Sequence, residues 1–246
     1  MRYAVCKIGQ IPVRLSPSEK AEMTNQLLFG EQCEILEEQN TWLLIRSLYD
    51  AYEGWISGNF ASGFLKFSQN KPEEPQFVVS SPTAQLISAN NTMLISFGSW
   101  LGTSDKIAGG EQILFHPEQP DKDALLSYAN QLLGAPYLWG GRTIFGMDCS
   151  GFIQLIYKVI GIYLPRDASQ QALVGNTLNF IEEAQVGDLA FFDNDEGKIT
   201  HVALFTDTKH VIHASGFVRI DPIDHHGIYN LSQQNYSHKL RIIKRI

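Results

Sequence analysis

One cysteine and two histidines in the C-terminal half of this chain have the residue types that nucleophilic catalysis needs. Cys149 stands in Gly146-Met147-Asp148-Cys149-Ser150-Gly151-Phe152, where a helix is predicted to begin. The partial positive charge of a helix N-terminus stabilises an anion and lowers a thiol's pKa. Ser150 and Gly151 are small and leave room for a substrate backbone. Taken alone, the same position suits a buried structural cysteine. His201 adds chemistry: it lies in Lys198-Ile199-Thr200-His201-Val202-Ala203-Leu204-Phe205, at the start of an apolar strand. His213 lies in Val211-Ile212-His213-Ala214-Ser215, at the end of the next. A hairpin turning around residues 206–209 brings the two imidazoles side by side. Thiolate, base and base-orienter are the parts of a covalent catalyst. The same three side chains could bind zinc, but they lack tight Cys-x-x-Cys or His-x-x-x-His spacing and an acidic fourth ligand. We therefore expect no metal and no cofactor. His116, His210, His225, His226 and His238 read as ordinary surface or core residues.

The elements that would position these groups are legible around them. Asp121 can cap a helix in which Ala124, Leu125, Tyr128, Ala129, Leu132 and Leu133 recur at three- and four-residue steps. Gly134 stops it and Pro136 follows. A second helix is predicted over residues 149–160, with Asp148 as N-cap and Phe152, Ile153, Ile156, Val159 and Ile160 as its apolar face. A short helical piece covers residues 169–173. Strands then follow at 188–192, 200–205, 210–213 and 240–243. Helices first and strands after predict an α+β domain over residues 119–246.

Upstream, short strand-like pieces separated by turn residues predict a small β-barrel over residues 1–70. Residues 76–116, rich in Ser, Asn and Gly, are also strand-like. About 40 residues is near the lower limit for an independent core, so this segment should lean on its neighbours. Gln69-Asn70-Lys71-Pro72-Glu73-Glu74-Pro75 and His116-Pro117-Glu118-Gln119-Pro120-Asp121 read as connections.

Bulk properties exclude several function classes. The 246 residues carry a formal net charge of −7, with 44% hydrophobic and 18% charged residues, which is ordinary for a globular protein and offers no footprint for nucleic acid. No stretch approaches the roughly 18 apolar residues of a membrane-spanning helix. The N-terminal Met-Arg-Tyr-Ala-Val-Cys-Lys-Ile-Gly-Gln lacks the apolar core of a secretory signal. Three cysteines make no disulfide framework and suit a reducing compartment. A cytoplasmic location is the expectation.

Six blocks in order give residues 121–246 a specific resemblance. They are Pro136-Tyr137-Leu138-Trp139-Gly140-Gly141, the Cys149 block, Leu164-Pro165-Arg166-Asp167-Ala168-Ser169-Gln170-Gln171, Gly187-Asp188-Leu189-Ala190-Phe191-Phe192, Thr200-His201-Val202-Ala203 and Ile212-His213-Ala214-Ser215. Together they resemble the NlpC/P60 peptidases, which implies a papain-like fold. Val13-Arg14-Leu15-Ser16-Pro17-Ser18, Leu27-Leu28-Phe29-Gly30-Glu31-Gln32-Cys33-Glu34-Ile35-Leu36 and Tyr52-Glu53-Gly54-Trp55-Ile56-Ser57 resemble the bacterial SH3-like (SH3b) module. The middle segment would be a degenerate second copy.

The resemblance implies a cysteine endopeptidase cutting between γ-D-glutamate and a diamino acid, meso-diaminopimelate or lysine, in short murein-derived peptides with a free N-terminal L-alanine. It implies Glu22, Tyr52 and Asp167 as the pocket for that amine, and Tyr137, Asp148, Ser150 and Ser169 as further substrate contacts. From the residues alone, Glu22 is equally a solvated acid, Tyr52 a core aromatic, and Asp148 and Asp167 helix caps. Arg142 and Arg166 are candidates for binding a carboxylate. Two other readings stay open: a wall-binding protein with an idle catalytic domain, or a thiol hydrolase or acyltransferase of the same fold acting on another amide.

Overall fold

The computed structural model describes residues 2–60, 65–88, 91–115 and 120–246. The first unit is a seven-stranded antiparallel sheet in the order β3-β2-β6-β5-β4-β1-β7. Its strands are β1 (Arg2–Cys6), β2 (Gln10–Arg14), β3 (Met23–Leu28), β4 (Gln32–Gln39), β5 (Trp42–Ser47), β6 (Glu53–Ser57) and β7 (Leu65–Ser68). Alternation sets which face is buried: in β2 Ile11 and Val13 point inward, in β5 Leu43 and Ile45. The sheet closes around one core that also takes in Cys6 and Cys33. Burial pushes both thiols up to about 12, so they serve as small core hydrophobes.

Residues 77–114 form six short strands, β8 (Phe77–Val79), β9 (Thr83–Ile87), β10 (Thr92–Ser96), β11 (Trp100–Leu101), β12 (Lys106–Ala108) and β13 (Gln112–Leu114), in two three-stranded sheets. Their small core is completed by Phe29 of the first unit. Val78, Phe97, Trp100 and Phe115 instead join the main core of the C-terminal unit. The segment leans on both neighbours, as its length demands. Gly30, at φ +78°, sits so close to the Trp100 carbonyl that any Cβ would collide with it, which lets the first unit and this segment touch backbone to backbone. Gln69–Pro75 is free of strand. Of the second expected connection, residues 116–119 lie outside the described residues.

In the C-terminal unit, Asp121 caps a short 3₁₀ turn (Lys122–Ala124) that leads into α1 (Leu125–Gln131), and Gly134 follows at φ +83°. A small hairpin, β14 (Arg142–Thr143) and β15 (Gly146–Met147), precedes α2 (Cys149–Val159), and α3 (Ala168–Gln171) follows. Every residue of α2 is buried, its polar Gln154 and Lys158 included. The seven remaining strands are β16 (Asn176–Leu178), β17 (Leu189–Asp193), β18 (Ile199–Phe205), β19 (His210–Ser215), β20 (Phe217–Asp224), β21 (Gly227–Asn230) and β22 (Asn235–Arg245). They form a sheet in which β21 also pairs with β22, so six strands close into a barrel. One barrel face packs Leu189, Phe191, Val202 and Leu204 against α2, and the other gathers Ala190, Phe192, Ala203 and Phe205 inside. Two-sided burial explains the unbroken apolar runs in the sequence.

The whole is mostly sheet with few helices. Strands β20 and β21 have no counterpart among the predicted elements, and β22 is longer than the expected 240–243 piece. Pro222 and the charged residues of Phe217–Asp224 mask the alternation there. Among the described residues, no helix is long and apolar enough to cross a membrane.

Candidate active site

Cys149 occupies the first turn of α2 and is 5% exposed. Its N-cap, Asp148, accepts from the Gly151 N–H at 2.7 Å and the Gly140 N–H at 2.8 Å. Arg166 donates through Nη1 to Asp148 Oδ1 at 2.9 Å, and its Nη2 bonds the other oxygen. The same guanidinium reaches Ser150 Oγ and Asn25 Oδ1 of β3, both at 2.9 Å. Gly140, at φ +74°, passes so close to Met23 that a Cβ would strike its carbonyl. The first unit is thus wired into the start of α2.

The Asp148 carboxylate caps α2 and Ser150 Oγ is held by Arg166, and both residues also line the cavity that holds Cys149. The two arginines are not free for a substrate carboxylate. Arg166 is buried against Asp148, and Arg142 is buried with both Nη atoms 2.9 Å from Glu31. Glu31 also receives Lys158 Nζ at 2.6 Å. Burial alone would push the Glu31 carboxyl up, but the two cations outweigh it and hold it down at about 2.

The hairpin between β18 and β19 forms as expected. Its ladder pairs Leu204 with Ile212 and Phe205 with Val211, which sets His201 and His213 diagonally across from one another. His201 Nε2 lies 2.8 Å from His213 Nδ1. Cys149 Sγ rests 4.0 Å from the carbonyl oxygen of Thr200, the residue before His201. Two further residues join this cluster. Asp221 Oδ2 is 3.0 Å from His213 Nε2, and the His238 ring stacks on His201 with centroids 4.1 Å apart. Asp221 sits on a strand whose pattern is masked, and His238 carries no local motif.

Electrostatics depart from the expected lowered thiol. Burial, followed by the nearby Asp148 charge, pushes the Cys149 thiol up to about 12. Burial, then the neighbouring His238 and His213, holds His201 well below its ordinary value. His238 is likewise held down, at about 4, mainly by burial. Both shifts favour the uncharged form, thiol on Cys149 and imidazole on His201. His201, His213 and His238 have ligating nitrogens within 4.8 Å of one another. Of these, His201 Nε2 and His213 Nδ1 face each other at 2.8 Å, and the His201 and His238 rings stack with a tilt of 28°.

Cys149 opens into a cavity of about 620 Å³ whose far end is lined by Glu22, Tyr52, Trp139, Asp167 and Ser169. Sequence-distant residues from both units thus meet around one space. Glu22 Oε1 accepts from Trp139 Nε1. Asp167 holds the N-cap position of α3 but makes no capping bond with its side chain, which leaves the carboxylate to the cavity. Burial raises its pKa, against the pull of Arg166. Tyr52 is half-buried, its phenol raised chiefly by burial. Tyr137 lies half-buried near Cys149, and burial raises its phenol.

Comparison with known proteins fits this architecture. Residues 134–240 match the NlpC/P60 family, and residues 13–59 match the bacterial dipeptidyl-peptidase Sh3 domain. The chain belongs to the NlpC/P60 family. It is similar to a gamma-D-glutamyl-L-lysine dipeptidyl-peptidase of Bacillus subtilis, 30% identical over 217 residues, covering 77% of this chain and 71% of the relative. It is also 28% identical over 235 residues to the Bacillus cereus protein of the same name, covering 80% and 70% of the two chains. A solved NlpC/P60 family protein from Bacillus cereus superposes with a TM-score of 0.82 at 21% identity, over 99% of both chains, which shows a shared fold.

Proposed function

We propose that the protein is a cysteine peptidase that hydrolyses the γ-D-glutamyl–diamino acid bond of short murein-derived peptides with a free N-terminal L-alanine. The observation that carries this reading is the single cavity joining Cys149 to Glu22, Tyr52 and Asp167. A peptide ammonium placed there meets two carboxylates, Glu22 oriented by Trp139, and a phenol. Charge-assisted hydrogen bonds of this kind read a free amine and reject an acylated one. The named activities of the Bacillus relatives agree with it.

In the mechanism, neutral His201 takes the thiol proton as Cys149 Sγ attacks the γ-carbonyl carbon. The carbonyl oxygen becomes an oxyanion, accepting from the Cys149 N–H at the α2 N-terminus and from the Tyr137 hydroxyl. One such donor contributes about 3–4 kcal/mol. The imidazolium of His201 then protonates the leaving amine as the C–N bond breaks, leaving a thioester. Water, deprotonated by His201, attacks the thioester and releases the γ-glutamyl acid and the thiol. His213 holds His201 in orientation. The helix-borne thiol and barrel-borne histidines are read as a papain-like arrangement, and the middle segment as a degenerate SH3-like unit. Recycling of small wall peptides in the cytoplasm goes with the substrate.

Incubation with L-Ala-γ-D-Glu-L-Lys should release L-Ala-D-Glu, detected by mass spectrometry. Cys149→Ala should abolish release while retaining the fold. Release by pure Cys149→Ala protein, or none by the unaltered protein with either lysine or diaminopimelate peptide, rejects the assignment.

A further inference from the structure

The hydrogen-bond chain behind His201 continues past His213. Strand β20 places Arg219 opposite His213, so Asp221, two residues on, projects from the same face. His213 Nε2 lies 3.0 Å from Asp221 Oδ2, and both side chains are buried, at 1% and 3% exposure. The second Asp221 oxygen accepts from Arg219 Nη2 at 2.7 Å. Burial raises this carboxyl, but the bonds from His213 and Arg219 prevail and hold it below the usual range.

An ionised carboxylate only accepts, so the hydrogen in the first bond belongs to His213 Nε2. A His213 with a single N–H therefore carries it on Nε2 and keeps a lone pair on Nδ1. His201 Nε2, 2.8 Å from that atom, must then be the donor. His201 is left with its own lone pair on Nδ1, the nitrogen not used by His213. That is the form able to receive a thiol proton. With the opposite pair of tautomers, His213 Nδ1–H would donate to His201 Nε2, and His201 Nδ1–H would offer the thiol a donor instead of an acceptor.

We propose that Asp221 is a positioning residue of this site, a buried carboxylate that sets the tautomers of His213 and His201 in series and so keeps the base ready on Nδ1. It does not line the cavity that holds Cys149, and it acts through two imidazoles. The turnover consequence rests on the peptidase reading above, whereas the tautomers are a property of the resting protein. Asp221→Asn is the informative change, because it nearly preserves volume. Arg219 donates to the Oδ1 side and so retains the amide oxygen there, turning the amide N–H₂ toward His213 Nε2. The chain then reverses.

The test combines nitrogen-15 imidazole NMR with kinetics. In the unaltered protein, both His213 and His201 should be protonated at Nε2. In Asp221→Asn, both should move to Nδ1–H. Its kcat should fall roughly 10- to 100-fold, below the loss expected for removing a general base, with KM within about twofold. Alkylation of Cys149 by iodoacetamide, followed on the Cys149 peptide, should slow in parallel. A His213 protonated at Nδ1 in the unaltered protein overturns the proposal, and if the variant does not fold, that spectrum alone decides. Unchanged kcat, unchanged tautomers, or a loss carried by KM in a folded variant also overturns it. If no peptide is hydrolysed, the spectra and the alkylation rate still decide, which separates failure here from failure of the peptidase reading.

Discussion

Two walls of the same cleft use the same kinds of side chain to opposite ends. On the α2 side, Asp148 has Arg166, Gly140 and Gly151 as donors, and Arg166 in turn has Asn25 and Ser150. On the far side, Glu22 receives one bond from Trp139, and Asp167 makes no capping bond at a position built for one. Asp148 and Asp167 flank Arg166 closely in space, but only the first takes its hydrogen bonds. A carboxylate whose bonding capacity is used up is structure. One left with lone pairs in a cavity is available to a cation. Residue type does not separate the two; the count of partners does.

The paired wall should break hardest. Arg166→Met leaves Asp148 as an uncompensated buried charge and should cost about 3–5 kcal/mol of stability, measurable by urea denaturation. A second buried ion cluster, Glu31 with Arg142 and Lys158, sets an acid limit. Its folded-state carboxyl, at about 2, lies below the 4.5 of a free glutamate. The stability it adds is therefore fully present above about pH 4.5 and is lost as pH falls toward 2. Denaturation curves across that window should lose about 3 kcal/mol, and Glu31→Gln should flatten the slope while being destabilised throughout.

The unpaired wall should respond in function instead of stability. Glu22→Gln combined with Asp167→Asn should raise KM for free-amine peptide about 10-fold or more, through lost charge-assisted bonds. The melting temperature should stay close to that of the parent. A fall of many degrees would place these residues with the structural wall. Smallest of all, Trp139→Phe removes the one bond that orients Glu22 and should change KM only by a factor of about 2–10, with kcat unchanged.

What the sequence revealed follows the range of the contacts. Cys149, its helix cap and the His201–His213 hairpin are local, built from residues adjacent in the chain or across one turn, and their motifs carried them. Glu22, Tyr52 and Asp167 were placed by family resemblance, and by themselves they were equally a surface acid, a core aromatic and a cap. The use of Arg142 and Arg166 in buried networks was hidden because their partners Asn25, Gln26 and Glu31 lie more than 100 residues away in the chain. Asp221 was hidden by Pro222 in a strand of broken alternation. The thiol's raised pKa was missed for a physical reason: a helix N-terminus lowers it, but near-complete burial beside Asp148 does more.

The most direct test of the account compares L-Ala-γ-D-Glu-L-Lys with its N-acetyl form under identical conditions. The cavity joining Cys149 to Glu22, Tyr52 and Asp167 predicts that acetylation lowers kcat/KM by about 100-fold or more, since charge and two strong hydrogen bonds are lost together. Equal hydrolysis of both peptides would contradict it, and would leave the cysteine chemistry without the amine-reading wall.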